Sequence, residues 1–359
     1  MRHNPGKSSN AAGSYKKNLN STQVKSQSIL FIYTSFHSFV RNDYEILSEE
    51  YEVKKIQFNP VRGLLSTGLV MIKQFFYLLF NIWKYDAVYV WFADYHSLLP
   101  VLFAKALGKK SYVVIGGYDI CRDRQLSYGS FYSSFRGFFS AQSIRNCSIN
   151  ISVSNYVDRK VGFVFPKVRH EMIYNCINLD SPVDSAIEKE KLILCVALIE
   201  SQRTYMRKGI DTFLALAPLL RDYKFVLIGP DSSAMSLFSD LIPANVSIFQ
   251  RLPQADLLEY FQKASFYCQL SRVETFGVAI GEAMLQRCIP LVTNEGGMPE
   301  VVGNVGRIVP RDPKIIADLI RMLQASDTST LRETCRKHII TNFSFDRRKK
   351  ALLILLSRK

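Results

Sequence analysis

The chain has 359 residues, which is enough for two domains because a domain usually spans roughly 100 to 200 residues. Apolar residues make up 48% and charged residues 21% of the chain, and this balance excludes a largely disordered protein. The formal net charge of +15 favours a polyanionic partner, which could be nucleic acid, an anionic lipid surface or a phosphorylated small molecule.

Residues 1–28 differ from the rest because they are rich in Ser, Asn, Gly and Lys and contain no apolar run. We predict a disordered basic tail there, and we expect a cytoplasmic protein because the tail has no apolar signal segment. The seven cysteines are scattered, which predicts reduced thiols. The five histidines never pair at ligand spacing, so we expect neither a metal nor a cofactor.

Short β-rich runs alternate with helical patterns in two successive series, which predicts parallel sheets with crossover helices. The first series contains 29–33, 51–56, 86–91, 111–115 and 149–154, and the second contains 192–198, 224–229, 245–249, 265–270 and 289–293. The predicted fold class is therefore α/β, with two doubly wound Rossmann-like domains that face a central cleft.

A polar, proline-containing stretch at 181–191 lacks an apolar face and is predicted to be the linker. It would join an N-terminal domain at 29–180 to a C-terminal domain at 192–340. Residues 341–359 predict a C-terminal helix that packs back on the N-terminal domain.

Residues 64–83 form an apolar stretch that is nearly long enough to span a bilayer, but Lys73 and Gln74 interrupt it. We expect a helix buried on the sheet. The alternative is an interfacial helix that contacts a membrane, which nearby basic residues support. These are Lys54, Lys55, Arg62, Lys73 and Lys84.

The segment SRVETFGVAIGE at 271–282 carries two carboxylates, Glu274 and Glu282, eight positions apart. A turn at 275–278 would open a helix whose free N–H groups attract phosphate, and Gly277 would let a phosphate approach the backbone. A capping glycine and two solvated surface carboxylates are the alternative interpretation.

The loop after the first strand of the second series carries three cations, Arg203, Arg207 and Lys208. Cations at the carboxyl end of a strand can neutralise a diphosphate, whereas they would oppose the dipole of an ordinary helix start. The loop therefore predicts a phosphate-binding wall.

Together, these motifs resemble the retaining GT-B glycosyltransferases of family 4, over residues 185–310. The motifs appear in the family's order: R-x4-KG from Arg203 to Gly209, then FVLIGP, LPQADLLEYFQKASFYCQLS, E-TFG-x4-E and GGMPEVVG. The resemblance implies a GT-B fold and a nucleoside diphosphate sugar as the donor.

The resemblance also implies the roles of the donor-side residues. Arg203 and Lys208 would hold the diphosphate and stabilise the leaving group, and Glu274 would face the hydroxyls of the transferred sugar. Glu282 would accept hydrogen bonds from the ribose, and the base would lie against backbone near Arg251. The segment Thr275, Phe276, Gly277 and Val278 would lie near the phosphates.

The N-terminal half resembles the family less well, because the His that members often carry after the fourth strand is absent from VVIGGYDICR. Asp119 is the best candidate for contacting the acceptor or the reacting sugar, although a turn-forming Asp explains it equally well. His96, near Asp94 at the end of another strand, is a second candidate for the acceptor side.

The resulting hypothesis is a metal-independent hexosyltransferase that moves a sugar, with retention, to a glycan or lipid-linked acceptor in cell-surface polysaccharide or glycolipid synthesis. We expect it in the cytoplasm, with an anionic membrane surface as an alternative partner at the inner face. The rival hypotheses are a basic nucleic-acid-binding protein, which lacks a supporting motif here, and an inactive GT-B partner subunit.

Overall fold

The computed structural model describes residues 27–59, 63–179, 187–238 and 242–358. Most of the predicted tail and of the predicted linker therefore lies outside the described residues. The chain forms two six-stranded parallel sheets, with strand orders β2-β1-β3-β4-β5-β6 and β12-β11-β10-β7-β8-β9. The strands are β1 (Ser28–Tyr33), β2 (Glu52–Gln57), β3 (Ala87–Trp91), β4 (Lys110–Ile115), β5 (Ile149–Ser152), β6 (His170–Met172), β7 (Glu190–Ile199), β8 (Lys224–Pro230), β9 (Val246–Phe249), β10 (Ala264–Gln269), β11 (Ile289–Thr293) and β12 (Arg307–Val309).

Thirteen α-helices accompany these strands in the described residues. They are α1 (Ser38–Glu50), α2 (Leu64–Asn81), α3 (Tyr95–Ala106), α4 (Ser134–Asn146), α5 (Asn155–Val164), α6 (Gln202–Arg207), α7 (Ile210–Leu216), α8 (Gln254–Lys263), α9 (Val278–Leu285), α10 (Met298–Val302), α11 (Pro313–Gln324), α12 (Ser329–Asn342) and α13 (Phe345–Ser357). We call the part built on β1–β6 the N-terminal lobe and the part built on β7–β12 the C-terminal lobe.

The predicted α/β fold class with two Rossmann-like sheets is confirmed. The central strands read as continuous apolar runs because helices cover both faces of a parallel sheet. In β4, for example, every residue after Lys110 is buried. The edge strand β12 has only three residues, too few for the pattern to indicate a strand.

The strand order places a switch point in each sheet, between β1 and β3 in one lobe and between β7 and β10 in the other. Loops that leave the two central strands of such a sheet diverge there and open a crevice at the carboxyl edge. In this chain the two carboxyl edges face each other, and the site described below lies between them.

The last helix, α13, packs against the N-terminal lobe, where Leu352 and Leu355 join its buried core. Arg348 of α13 makes two hydrogen bonds to the Asp43 carboxylate, at 2.5 and 2.8 Å, and both side chains are fully buried. Arg348 also donates to the carbonyls of Ile173 and Tyr174, just after β6. The ion pair thus joins the end of the chain to the segment that leaves the N-terminal lobe.

Helix α2 differs from the expectation of a helix buried on the sheet. Its buried side includes Thr67, Gln74 and Leu78, whereas most of its large apolar side chains face solvent. The expectation is therefore wrong for most of this helix. The segment Leu65–Lys84 is long and apolar enough to cross a membrane by length and composition, but only 22% of it is buried inside the protein.

Because Arg348 and Asp43 form a buried ion pair, we expect a large loss of stability when one partner is removed. Arg348→Met should lower the unfolding free energy by about 3–5 kcal/mol because it leaves a buried carboxylate without its counter-charge. Lys349→Met is the matched control, since the exposed pair between Lys349 and Glu49 should contribute at most about 1 kcal/mol.

Urea denaturation of both variants measures the difference. The double variant Asp43→Asn with Arg348→Met should recover part of the loss because it removes both charges together. Equal losses in the Arg348→Met and Lys349→Met variants would contradict this role of the ion pair.

Candidate active site

The cleft between the lobes has a volume of about 1000 Å³ and is lined by both carboxyl edges. Its C-terminal wall comes from the loops after β7, β8, β9 and β10, and its N-terminal wall from the loops after β1, β3 and β4. A smaller cavity of about 590 Å³, between α1 and the start of α13, adjoins it and shares the lining residues Asn42, Glu45 and Asn178.

An ion pair between Lys208 and Glu274 occupies the C-terminal wall. The Lys208 Nζ lies 2.5 Å from the Glu274 Oε2, and both side chains are about five-sixths buried, with 15% and 16% of their surface exposed. Burial tends to raise the pKa of Glu274, but Lys208, Arg207 and the Thr275 N–H outweigh it and hold that pKa below its usual value. The Glu274 carboxylate is therefore charged at neutral pH and is paired with the Lys208 ammonium group on the cleft wall.

The three cations of the β7–α7 loop do not share one place. Arg203 is exposed on α6 and does not line the cleft, whereas Arg207 and Lys208 both do. The Arg207 guanidinium lies 4.6 Å from the centre of the Tyr128 ring, an aromatic group of the opposite lobe. The geometry therefore assigns to Arg207 the place on the cleft wall that the sequence motif assigned to Arg203.

The local backbone explains this difference. Ser201 caps the short helix α6, and Arg207 is its last residue, so both cleft-lining cations stand at a helix C-terminus, where the sequence predicts a loop. Cations are favourable at a C-terminus. Gly209 follows in a left-handed conformation (φ +69°) and lets the chain turn into α7.

The segment predicted to form a phosphate-binding turn lies where the motif indicated. Gly277 precedes α9 in a left-handed conformation (φ +95°), and the cleft is lined by Thr275, Phe276, Gly277 and Val278. The first N–H groups of a helix have no partner within the helix, so they are free to donate to a ligand at this wall.

Glu282 lies one turn further along α9, half-buried, and also lines the cleft. Burial raises the pKa of Glu282 to about 7, and no cation opposes the effect. The two carboxylates of the motif thus differ: Glu274 is held ionised by Lys208, whereas Glu282 titrates near neutrality. Arg251 is exposed after β9 and lines the same wall.

The second glycine-rich motif supports this wall from behind. A Cβ on Gly296 would lie 1.6 Å from the Glu274 carbonyl oxygen, and one on Gly297 would lie 2.2 Å from the Thr275 carbonyl oxygen. Only glycine permits this close approach of the two loops. Gly297 N–H donates to the Glu274 carbonyl at 3.0 Å, which fixes the loop that carries the carboxylate.

The same segment reaches the other lobe. Glu300 accepts hydrogen bonds from the N–H groups of Asn155 and Tyr156 at the start of α5, at 2.8 and 2.7 Å. A carboxylate is favourable at a helix N-terminus. The Thr275 hydroxyl donates to the Gly116 carbonyl at 2.7 Å, so the loop that carries Glu274 also touches the loop after β4.

Asp119 is fully buried, and its carboxylate points toward the backbone of its own loop. It accepts hydrogen bonds from the N–H groups of Ala93, Gly116 and Gly117, at 3.1, 3.2 and 2.7 Å. Burial raises the pKa of Asp119 to about 6, although these N–H groups oppose the rise. The structure thus places Asp119 beneath the cleft surface, where it shapes the loop that Thr275 contacts.

His96 is also buried and does not line the cleft. Its Nε2 lies 2.9 Å from the Trp91 carbonyl oxygen, and burial lowers its pKa. Its neighbour Asp94 caps α3 and pairs with Arg136. The geometry favours a structural role for both residues.

The residues that form the N-terminal wall were not singled out from the sequence. They include His37 and Phe39 after β1, Phe92 after β3, and Tyr118 and Tyr128 after β4. Phe92 has φ +69°, a conformation that is strained for an aromatic residue. The one sequence signal for this wall is its position after β1 and β3, since ligands bind at the switch point of such sheets.

Gly296 provides a direct test of the packing behind Glu274. Gly296 and Gly108 have nearly equal φ angles, +64° and +65°, but a Cβ on Gly108 meets nothing within 4 Å. Both alanine variants should lose about 1 kcal/mol to backbone strain. Gly296→Ala should lose roughly 1–3 kcal/mol more because the Glu274 loop must move. Equal losses in urea denaturation would contradict the packing argument.

Sequence comparison relates part of this chain to known proteins. Residues 180–340 match the family model of glycosyl transferases group 1, which covers the cleft wall with Lys208, Glu274 and Glu282. An uncharacterized 41.2 kDa protein in the cps region of Klebsiella pneumoniae is 25% identical over 310 residues, which is 79% of this chain and 80% of that protein.

Solved structures share the fold at low sequence identity. Sucrose-phosphate synthase from Thermosynechococcus elongatus aligns with a TM-score of 0.73 and 14% identity, covering 92% of this chain and 98% of that one. Anabaena HepE in complex with UDP and glucose aligns with a TM-score of 0.68 and 14% identity, covering 92% and 99%. A glycosyltransferase from Rickettsia africae aligns with a TM-score of 0.66 and 17% identity, covering 93% and 99%. The matched C-terminal domain and the shared two-lobed fold together support a GT-B glycosyltransferase.

Proposed function

We propose that this protein is a retaining glycosyltransferase of family 4 that transfers a hexosyl group from a nucleoside diphosphate sugar to a glycan or lipid-linked acceptor. The observation that carries the proposal is the Lys208–Glu274 pair, held on the cleft wall between Arg207 and the start of α9. A cation, a carboxylate and free helix N–H groups are the partners that a diphosphate and a sugar require.

The donor would bind along the C-terminal wall. Arg207, Lys208 and the N–H groups at 277–279 would face the diphosphate and stabilise the charge that develops on the leaving group. Glu274 would accept hydrogen bonds from the transferred sugar and Glu282 from the ribose. HepE, which shares the fold, is described in complex with UDP and glucose, and this supports a nucleotide-sugar donor.

Retention at the anomeric carbon would proceed without a protein nucleophile, by reaction on the face from which the diphosphate leaves. The carboxylate nearest the proposed sugar position, Glu274, is already paired with Lys208 and fits a role in binding the sugar hydroxyls. Arg207 and Lys208 of the C-terminal wall would take the charge-neutralising role of a metal ion at the diphosphate. Across the described part of the chain, no group of three or more His, Cys, Asp or Glu side chains is arranged to hold one.

The acceptor would bind against the N-terminal wall. Aromatic rings such as Phe39, Tyr118 and Tyr128 offer apolar faces with polar edges, a surface that suits sugar rings. Asp119 would position the Gly116–Gly117 loop beside the reacting sugar and would not contact the acceptor itself. The relative from a cps region supports a role in polysaccharide synthesis.

We propose a cytoplasmic location. All seven cysteines lie in the described segments and are buried free thiols, which is the usual state in a reducing compartment.

A thermal-shift screen against UDP-, GDP- and ADP-sugars tests the donor class, since a ligand that binds only the folded state raises the melting temperature. Absence of a shift with every sugar nucleotide would contradict the proposal.

Substitutions on the cleft wall should separate chemistry from folding. Lys208→Ala and Glu274→Ala should each reduce transfer by at least about 100-fold, because both side chains would contact the donor. Each variant also leaves a mostly buried partner charge unpaired, so we expect a lower melting temperature with the fold retained. Arg207→Ala should also impair transfer, whereas Arg203→Ala, on the exposed side of α6, is the control and should retain activity.

Release of nucleoside diphosphate in the presence of glycan and lipid-linked acceptors measures these effects. Wild-type turnover in Lys208→Ala or Glu274→Ala would overturn the site. Strong impairment by Arg203→Ala, with Arg207→Ala unaffected, would restore the role that the sequence motif suggested. Donor binding without any turnover in the wild type would favour the inactive partner subunit.

Donor affinity should depend on pH through Glu282. Its pKa is near 7, so it becomes an ionised acceptor only as the pH rises through that value. Affinity for UDP-glucose should therefore be weaker at pH 6 than at pH 8, by up to roughly tenfold. Both phosphates of UDP-glucose are esterified and do not titrate in this range.

The matched variant is Glu282→Gln, which cannot ionise. Calorimetric titration should show weaker binding than wild type at pH 8 and a flat profile between pH 6 and pH 8. A flat wild-type profile, or an unchanged slope in Glu282→Gln, would assign the pH dependence to another group.

A further inference from the structure

We propose that the outer face of α2, α3 and α4 docks on an anionic lipid bilayer. The main feature of this face, which we call the docking face, is a stripe of large apolar side chains along α2 and the 3₁₀ turn Ile82–Lys84 that continues it. They recur at intervals of three and four residues, so they share one side of the helix. The stripe consists of Leu65, Leu69, Ile72, Phe76, Leu79 and Trp83, and all of these side chains are exposed, from 46% at Leu79 to 87% at Leu65.

The neighbouring helices extend this apolar surface. Phe75 of α2 contacts the ring of Phe103 on α3, and Leu102 of α3 is exposed. On α4, Phe135 and Phe138 are exposed as well. Monomeric soluble proteins rarely expose such a large continuous apolar surface, so it indicates a contact with a membrane or another protein.

The buried side of α2 holds the helix on the lobe. The Gln74 Nε2 donates to the His96 carbonyl at 2.7 Å within the protein, and Leu78 belongs to the core. Tyr77 hydrogen-bonds to Tyr85 at 3.1 Å. A helix that crossed the bilayer would lose these contacts and bring Gln74 into hydrocarbon, which is costly. The geometry therefore favours a helix that lies at the interface over one that spans the membrane.

Charge identifies the occupant. No Asp or Glu occurs from 53 to 85, from 95 to 118 or from 124 to 157, the stretches that contain all three helices. Asp94, which caps α3, lies just outside them and pairs with Arg136. The same stretches carry eleven Lys and Arg residues: Lys54, Lys55, Arg62, Lys73, Lys84, Lys105, Lys109, Lys110, Arg124, Arg136 and Arg145. A second copy of this basic face would be repelled, whereas anionic headgroups attract it.

The side chains around the stripe suit a headgroup layer. Lys73 is exposed on α2, and Lys84 is exposed directly after Trp83. A long basic side chain can keep its stem on the apolar surface while its ammonium group reaches phosphate, and tryptophan favours the membrane interface. The stripe would enter the acyl boundary, and the lysines would contact the phosphates.

The docking face adjoins the acceptor wall of the cleft. Helix α2 runs antiparallel to the strands, so its first turn lies at the same sheet edge as the cleft. Arg136 of α4 donates to the hydroxyl of Tyr118, which lines the cleft, at 3.1 Å. Docking would thus bring the acceptor wall close to the bilayer, where the lipid-linked acceptor considered above would be presented.

Vesicle co-sedimentation of the full chain tests the proposal. Wild type should pellet with phosphatidylcholine vesicles that contain about a third phosphatidylglycerol, and high salt should release most of it. The double variant Leu69→Ser with Phe76→Ser should bind at least roughly tenfold more weakly, because two exposed apolar side chains no longer enter the bilayer. Lys73→Glu with Lys84→Glu should lose the preference for phosphatidylglycerol.

The matched control is Ile315→Ser with Met322→Ser, two exposed apolar residues of α11 in the C-terminal lobe. It should bind vesicles as the wild type does. UDP-glucose binding, measured in parallel, should be equal in all variants, so a failure of docking is separate from a failure of the proposed activity.

Several outcomes would overturn the proposal. Wild type that stays in the supernatant at low salt would do so, as would equal losses in the stripe and control variants. A concentration-dependent dimer that the stripe variant abolishes, without vesicle binding, would assign the face to a second copy. Protein that is released from vesicles only by detergent would assign α2 to a membrane span.

Discussion

The buried ion pair between Arg348 and Asp43 ties the returning end of the chain to the N-terminal lobe. Arg348 also holds the carbonyls of Ile173 and Tyr174, at the point where the chain leaves the N-terminal lobe. Beside it, the Ile177 N–H donates to the Phe343 carbonyl at 2.8 Å, so the outgoing and returning segments run together. Both crossings are therefore tied to the N-terminal lobe, beside Asn175 and Asn178, which line the cleft.

Across the cleft, the contacts between the lobes are polar and local. Thr275 touches Gly116, Ser154 donates to the Thr275 carbonyl at 2.8 Å, and Glu300 caps α5. All three contacts involve the loops on either side of Glu274, so the carboxylate that would bind the transferred sugar is positioned by both lobes. These hydrogen bonds are few and only partly buried, so water can replace them when the lobes separate, which fits a cleft that must open to admit a donor.

Much of the C-terminal wall of the cleft could be predicted from sequence because its motifs lie on short, contiguous segments. Glu274, Gly277 and Glu282 share one turn and one helix, so their spacing alone places them together. Arg203 and Arg207 could not be separated in this way, since a difference of one helical turn on α6 decides which of them faces the cleft. The N-terminal wall was harder still to predict, because it is assembled from three loops whose residues form no common motif.

The α/β class, the two sheets and the lobe that carries the cleft motifs follow from the sequence alone, because apolar periodicity and contiguous motifs are local properties. The burial of Asp119 and His96 away from the cleft, and the outward-facing apolar side of α2, are seen only in the folded chain. These are questions of which surfaces pack together. The sequence pattern of an apolar helix is the same whether the protein covers both of its sides or only one. Likewise, the sequence around a carboxylate after two glycines is the same whether it faces a ligand or its own loop.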